Sequence, residues 1–264
     1  METLTHNTLT GHQSEIFKGI CSKITTILED KVLTSPDLGD YIVSLQGVAG
    51  TGKTYLTTQI VKFLKTSNIN FMITAPTHKA VSVIASTLIN NGIVASCKTI
   101  HSFLGIKAFK DYETGAEKFV IDKTVKQDQA TAVLIVDESS MIGNELYDYL
   151  LEKIEANKIG CVLFVGDPNQ LLPISGENNQ IYQLKYQFEL QEIVRQANES
   201  SIIKISTKIR DMIATKSFID LKQFVEQNQY DDIQYFHNDR DFLEDFYANE
   251  KWYEEDNIME AKRI

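Results

Sequence analysis

The sequence predicts an α/β fold built on a parallel sheet, with a small β-hairpin inserted between two of its strands. Two observations carry this prediction. Short runs rich in Val, Ile and Leu recur between residues 41 and 165, most of them followed by a stretch with apolar residues at helical spacing. That alternation is the pattern of strands buried on both faces by crossover helices. The rhythm breaks at residues 106–126 (IKAFKDYETGAEKFVIDKTVK), where partial alternation flanks a Glu-Thr-Gly turn, as in a hairpin.

Taken in order, residues 41–46 (YIVSLQ) form an apolar strand, 47–54 (GVAGTGKT) a glycine-rich turn and 55–67 a helix. Residues 71–75 (FMITA) are a second strand leading into a helix over 79–90. Residues 132–136 (AVLIV) lead into a helix over 144–157, and 160–165 (GCVLFV) into the turn GDPNQ at 166–170. From residue 202 the pattern becomes helical, then acidic and aromatic, with no repeat or low-complexity segment.

Composition narrows the class. With 43% hydrophobic and 23% charged residues over 264 positions, the chain matches soluble globular proteins rather than disordered or fibrous ones. Its apolar runs are strand-sized, far short of the roughly 20 residues that cross a bilayer, so no membrane association is expected. Residues 1–10 lack the basic stretch and apolar core of a secretion signal, and a cytoplasmic location in a bacterium or phage-infected host is expected. Cys21, Cys97 and Cys161 lie far apart with no CxxC spacing, and the five histidines form no HExxH pair. Reduced, mostly buried thiols follow, and any metal must be held by carboxylate and phosphate oxygens. A formal charge of -10 disfavours an extended phosphate-binding surface, although much of the acidity lies in residues 231–260, as expected of a solvated surface.

The chemistry starts at Gly47, Val48, Ala49, Gly50, Thr51, Gly52, Lys53 and Thr54, which satisfy GxxxxGK[ST] between a predicted strand and a predicted helix. This is the P-loop context. Its glycines let backbone amides turn toward phosphate oxygens, the helix dipole favours the anion, Lys53 reaches the terminal phosphates and Thr54 offers a hydroxyl to Mg2+. ATP with Mg2+ is therefore the expected ligand pair. Residues 132–138 end an apolar strand in two carboxylates, Asp137 for the magnesium shell and Glu138 to polarise an attacking water. Gln170 follows the next strand; from position alone it either faces the γ-phosphate or closes a tight turn.

The ordered set GVAGTGKT, APTHKAV (75–81), TIHSFLG (99–105), VDESSM (136–141), GDPNQLLPI (166–174) and LQEIVRQ (190–196) resembles the helicase motifs of superfamily 1. The likeness is to the RecD/Dda group, with the Pif1 helicases as relatives, and the stretch 173–178 resembles phage Dda helicases in particular. It covers residues 9 to about 196. The resemblance implies a RecA-like P-loop NTPase domain that hydrolyses ATP to move along single-stranded DNA, 5′ to 3′, and to open duplex forks. It makes Gln13 the residue that pairs with the adenine edge. It assigns Lys53, Glu138, Gln170 and Arg195 to catalysis, Arg195 by stabilising charge on the transferring phosphoryl group. It places Pro76, Thr77, His78, Thr99, His101, Ser102 and Phe103 on the strand path, where hydroxyls grip phosphates and rings stack on bases. By residue type alone Phe103 is a core aromatic.

The implied organisation is a motor domain over residues 1–105 and 127–200, a hairpin over 106–126 that is either a plain surface feature or a strand-separating pin, and a helical and acidic extension over 201–264. A second motor domain is expected beyond the C-terminus, so that this chain alone has reduced activity. Two other readings stay open on the P-loop itself: a phosphotransferase acting on a small acceptor, and a DNA-binding module that uses ATP only as a conformational ligand.

Overall fold

The four predicted apolar runs and two further strands pair into one six-stranded sheet in which every neighbouring pair is parallel. The computed structural model describes residues 9–29, 37–110, 117–121, 130–168, 170, 180–192, 201–217, 219, 221–228 and 240. In chain order the first unit contains α1 (Gly11–Glu29), β1 (Ile42–Gly47), α2 (Lys53–Thr66), β2 (Phe71–Ala75), α3 (His78–Asn90), β3 (Cys97–Thr99) and α4 (Ile100–Leu104). It continues with β4 (Ile106–Lys110), β5 (Glu117–Ile121), β6 (Thr131–Val136), α5 (Asn144–Glu155), β7 (Ile159–Gly166) and β8 (Tyr186–Leu190). The strand order across the sheet is β3-β2-β6-β7-β1-β8.

All six residues of β1 are buried, as are seven of the eight in β7. Side chains alternate between faces along a strand, so burial at both parities means that both faces are covered. The covering helices present apolar stripes: Ile16, Ile20, Ile24 and Ile27 on α1, and Leu56, Ile60 and Leu64 on α2. Each such side chain, fully removed from water, contributes about 1.5–3 kcal/mol. Among the described residues, Phe164 is the largest fully buried side chain, and it stacks on Tyr147 of α5 at 6.2 Å between ring centroids. Cys21 and Cys161 are buried free thiols and Cys97 is partly buried. Burial pushes the first two up to about 12, so they stay protonated and unreactive.

Several boundaries differ from the sequence expectation for local reasons. The helix expected over 144–157 stops at Glu155, because Asn157 turns left-handed at φ 53. Gln13 lies inside the first turn of α1. The short strand β3 and the edge strand β8 were not foreseen. Along β8, Tyr186, Phe188 and Leu190 are the more buried positions and Gln187 and Glu189 are exposed, the two-residue period of a sheet edge.

The inserted hairpin forms: β4 and β5 pair antiparallel, Ile106 opposite Ile121 and Lys110 opposite Glu117, as a separate two-stranded sheet. Its turn, including Glu-Thr-Gly, lies outside the described residues. The chain divides after Arg195 into two units, Met1–Arg195 and Gln196–Ile264. The second contains α6 (Ser201–Thr215) and α7 (Leu221–Asn228), with Lys208 of α6 over the ring of Phe224 of α7 at 5.8 Å. Among the described residues, no helix is long and apolar enough to cross a membrane.

Gly160 of β7 is closely approached by its neighbours. A Cβ there would lie 2.8 Å from the Ala132 carbonyl oxygen and 2.9 Å from Leu28 Cδ2. Gly160→Ala is expected to lower stability by about 1–3 kcal/mol, read as a fall in the thermal unfolding midpoint, because the backbone atom it meets cannot move aside.

Candidate functional site

Because all six strands run parallel, their carboxyl ends share one edge, and the sheet order sets the order of the motifs along it. Thr99 and the segment starting at Pro76 leave β3 and β2, Asp137 and Glu138 leave β6, and Asp167 leaves β7. The P-loop leaves β1, and Glu192 follows β8. This edge is where ligands bind in open α/β sheets. β7 lies between β6 and β1, so the carboxylates and the P-loop are two strand spacings apart, about 10 Å.

The P-loop closes on itself around one carbonyl. Val48 O accepts from the Thr51 amide at 3.3 Å, from Thr51 Oγ1 at 2.8 Å and from Lys53 Nζ at 3.2 Å. Lys53 Nζ also donates to Gly47 O at 2.6 Å. Gly50 and Gly52 have φ of +87 and +90, a region that costs other residues about 1–2 kcal/mol. Gly47 serves close approach instead: a Cβ there would meet Thr51 Oγ1 at 2.6 Å and Leu190 O at 3.1 Å. α2 begins with no side chain capping its N-terminus, leaving backbone N–H groups for an anion. Thr54, on its first turn, is exposed.

At the end of β6, the Asp137 amide donates to Thr74 O at 2.8 Å, prolonging the ladder with β2 by one residue. The next residue, Glu138, turns left-handed at φ 50 and starts a 3-10 turn over Ser139–Met141. A non-glycine residue there stores strain of about 1–3 kcal/mol, a feature that clusters at functional sites. Burial raises the Asp137 carboxyl from 3.8 to about 6, and the Glu138 carboxylate adds to the rise. A hydrogen bond from the Glu138 backbone and the charge of Lys53 pull the other way. The charge of Lys53 thus reaches Asp137 along the same sheet edge. The two motifs' donor set of carboxylate, hydroxyl and phosphate-facing amides suits an oxygen-ligated cation beside a polyphosphate. Gln170 is exposed, and its amide donates to Asp167 O at 3.1 Å in a turn. Arg195 and residues 171–179 lie outside the described residues.

The segments expected on a strand path are neighbours, since Ala75 of β2 pairs with Thr99 of β3. Thr77, His78 and Ser102 are exposed, while Pro76, His101 and Phe103 are half-buried. Phe103 packs against the core. Burial lowers the His101 pKa from 6.5, leaving an uncharged imidazole at neutral pH. Thr77 and Thr99 are helix caps: their hydroxyls accept from Ala80 N and Ser102 N, each at 3.2 Å. Thr99 is buried.

One arrangement escaped the sequence reading. Thr10 and Gln13 form a capping box at the start of α1, with the Gln13 backbone N–H donating to Thr10 Oγ1 and the Thr10 backbone N–H donating to Gln13 Oε1, both at 3.2 Å. The spacing T-x-x-Q before an apolar-periodic run is the signal that would have revealed it. Gln13 Nε2 donates to Thr51 O at 3.1 Å. His12 Nε2 lies 3.2 Å from Glu189 O, tying the same turn to β8.

A parallel sheet that delivers a phosphate loop and an acidic pair to one edge makes the first unit a P-loop nucleotide-binding domain. Residues 30–229 match the AAA domain family, and the chain belongs to it. Its sequence relatives include helicases of the Dda, RecD and Pif1 kinds, so the resemblance drawn from the motifs holds for a superfamily 1 RecD/Pif1-like motor domain. It is 33% identical over 179 residues to the ATP-dependent DNA helicase dda of Enterobacteria phage T4, covering 64% of this chain and 38% of that one. It is 35% identical over 188 residues to the uncharacterized protein R530 of Acanthamoeba polyphaga mimivirus, covering 64% and 37%. The chain thus spans well under half the length of these curated relatives. The crystal structure of Pif1 helicase from Candida albicans shares the fold, with a TM-score of 0.50 and 22% identity over 77% of this chain and 44% of that one.

The raised Asp137 pKa has a stability consequence with a definite sign. Between pH 3.8 and about 6 the folded carboxyl holds its proton after the unfolded one has lost it, so stability falls as pH rises through that window. Asp137→Asn is therefore expected to stabilise the nucleotide-free protein at pH 7.5 by about 1–2 kcal/mol. Thermal melts from pH 4 to 8 check this, and the gain is expected to vanish near pH 4.

Proposed function

We propose that this chain is the nucleotide-binding motor domain of a DNA helicase, in which ATP hydrolysis drives movement along single-stranded DNA, 5′ to 3′. The observation that carries the reading is the order of segments along one sheet edge: strand-path candidates on β3 and β2, carboxylates on β6, the phosphate loop on β1. A nucleotide held at β1 and β6 then abuts the segments that grip the track, so a change at the phosphates has a short route to the DNA. The relatives named as DNA helicases and the ordered motifs support it.

In this reading the P-loop amides and the start of α2 hold the phosphates, and the Lys53 ammonium leaves Gly47 O and Val48 O to pair with the terminal phosphate oxygens. Thr54 and Asp137 would hold Mg2+, which would supply positive charge to offset that of the phosphates. Glu138 accepts a proton from the attacking water. Gln170 faces the γ-phosphate from the turn after β7, and Arg195 stabilises the spreading phosphoryl charge. Thr77, His78 and Ser102 contact DNA phosphates, while His101 and Phe103 offer ring faces to bases once their half-buried sides turn outward. The hairpin of β4 and β5 is the pin at the duplex fork, and a second motor domain C-terminal to this chain completes the cleft in a cytoplasmic enzyme.

Lys53→Ala is expected to reduce single-strand-stimulated ATP turnover by about 100-fold or more. Glu138→Gln is expected to suppress turnover similarly while nucleotide affinity stays within about threefold, because the amide keeps the shape but accepts no proton. Both are read by steady-state ATPase assays and nucleotide titration, with and without single-stranded DNA. Turnover indifferent to DNA, accompanied by a phosphorylated small acceptor, would replace this reading with a phosphotransferase.

A further inference from the structure

Thr74 is the polar side chain of β2, and it is 1% exposed. It holds the end of β6 at two points. Its hydroxyl donates to Ile135 O at 3.0 Å, and its own carbonyl accepts from the Asp137 N–H at 2.8 Å. Between those two atoms lies Val136, which sits opposite Thr74 in the register. The peptide planes on either side of Val136 are therefore both tied to one residue of the neighbouring strand. Directly after the second plane comes the left-handed Glu138, at φ 50 and ψ 42, whose backbone N–H turns back to the Asp137 carboxyl. On its far side a 3-10 turn takes over, with the Met141 N–H donating to Glu138 O at 3.2 Å and the Ile142 N–H to Ser139 O at 3.0 Å. A strained residue persists only where its surroundings fix it from both sides. On the strand side, that surrounding is Thr74.

We propose that Thr74 is a positioning residue for the acidic pair: by clamping both peptides around Val136 it fixes the direction in which the chain leaves β6 and the point at which Glu138 turns left-handed. The proposal rests on the reading above, in which those carboxylates serve ATP hydrolysis. Thr74 acts through the backbone of β6 and is set back from the phosphates. Its hydroxyl is not needed to build the strand, because a valine suits a buried strand position equally well and brings no polar atom to satisfy. What the hydroxyl adds is the second fastening, at Ile135 O, beyond the ladder bond to Asp137 that any residue could make. The strain stored at a left-handed Glu138 and the net worth of one hydrogen bond are of similar size. Removing that bond therefore shifts the balance toward a relaxed turn while the sheet stays folded.

Two variants separate positioning from packing. Thr74→Val keeps the branched shape and loses the donor, whereas Thr74→Ser keeps the donor and loses a methyl group. Both are expected to lower the melting temperature, so stability does not distinguish them. In the full chain, Thr74→Val is expected to slow ATP turnover roughly three- to tenfold, by the same factor with and without single-stranded DNA, while KM for ATP stays within about twofold. The phosphate loop leaves β1, which β6 and β7 separate from β2, and so keeps its shape. Thr74→Ser is expected to retain turnover within about twofold of the parent. Hydrogen–deuterium exchange over residues 137–142 of the nucleotide-free protein is expected to rise in Thr74→Val and to stay at the parent level in Thr74→Ser. If Thr74→Val does not fold, Thr74→Ala set against Thr74→Ser isolates the hydroxyl alone. Equal losses of turnover in the Val and Ser variants would overturn the proposal, as would unchanged exchange in Thr74→Val. A loss confined to the DNA-stimulated part of turnover would also overturn it, moving Thr74 to the strand path. Failure of the parent chain to hydrolyse ATP would count against the motor reading, while the exchange comparison on nucleotide-free protein still decides whether the Thr74 hydroxyl clamps the turn.

Discussion

Parallel pairing is the constraint from which the rest of this structure follows. Once β3, β2, β6, β7, β1 and β8 run the same way, each must hand the chain to a connection at the same edge. The phosphate loop, the acidic pair and the segments after β2 and β3 are such connections. A parallel pair cannot be closed by a tight turn, so long crossovers return the chain to the opposite edge and bury the strands from both sides. The apolar content of β1, β6 and β7 is the sequence counterpart of that burial, and the polar motifs are confined to the few residues after each strand.

That edge is electrostatically tense. Asp137 is pushed toward its neutral form by burial and by Glu138, and Lys53 only partly offsets this. Glu138 adopts a left-handed backbone that its side chain disfavours. Lys53, whose ammonium would face phosphate, rests on the carbonyls of Gly47 and Val48. Desolvation of Asp137 and the left-handed backbone of Glu138 each cost the nucleotide-free protein free energy, and a cation beside Asp137 would offset the first. Strain and desolvation of this kind are how a folded domain comes to favour one class of ligand. The caps on α1, α3 and α4 act in the opposite sense, holding the segments around the site in one conformation.

The amino-acid sequence by itself determined the strands with strong apolar runs, the helices after β1, β2 and β6, the hairpin and the phosphate loop. These rest on local periodicity and on glycines that only a tight turn requires. The capping box of Thr10 and Gln13 is equally local, and its T-x-x-Q spacing is legible in the sequence. Tertiary structure alone decided the rest. The edge strand β8 has a weak two-residue pattern and exists because β1 offers it a free ladder. That Thr99 is a buried cap while Thr77 is exposed depends on what packs over each. The attachment of Gln13 to Thr51 spans 38 residues of sequence, and the influence of Lys53 on Asp137 spans more. Such pairs are set by strand order, which periodicity does not encode, because the same strands and helices can be threaded in several orders with equal local energy.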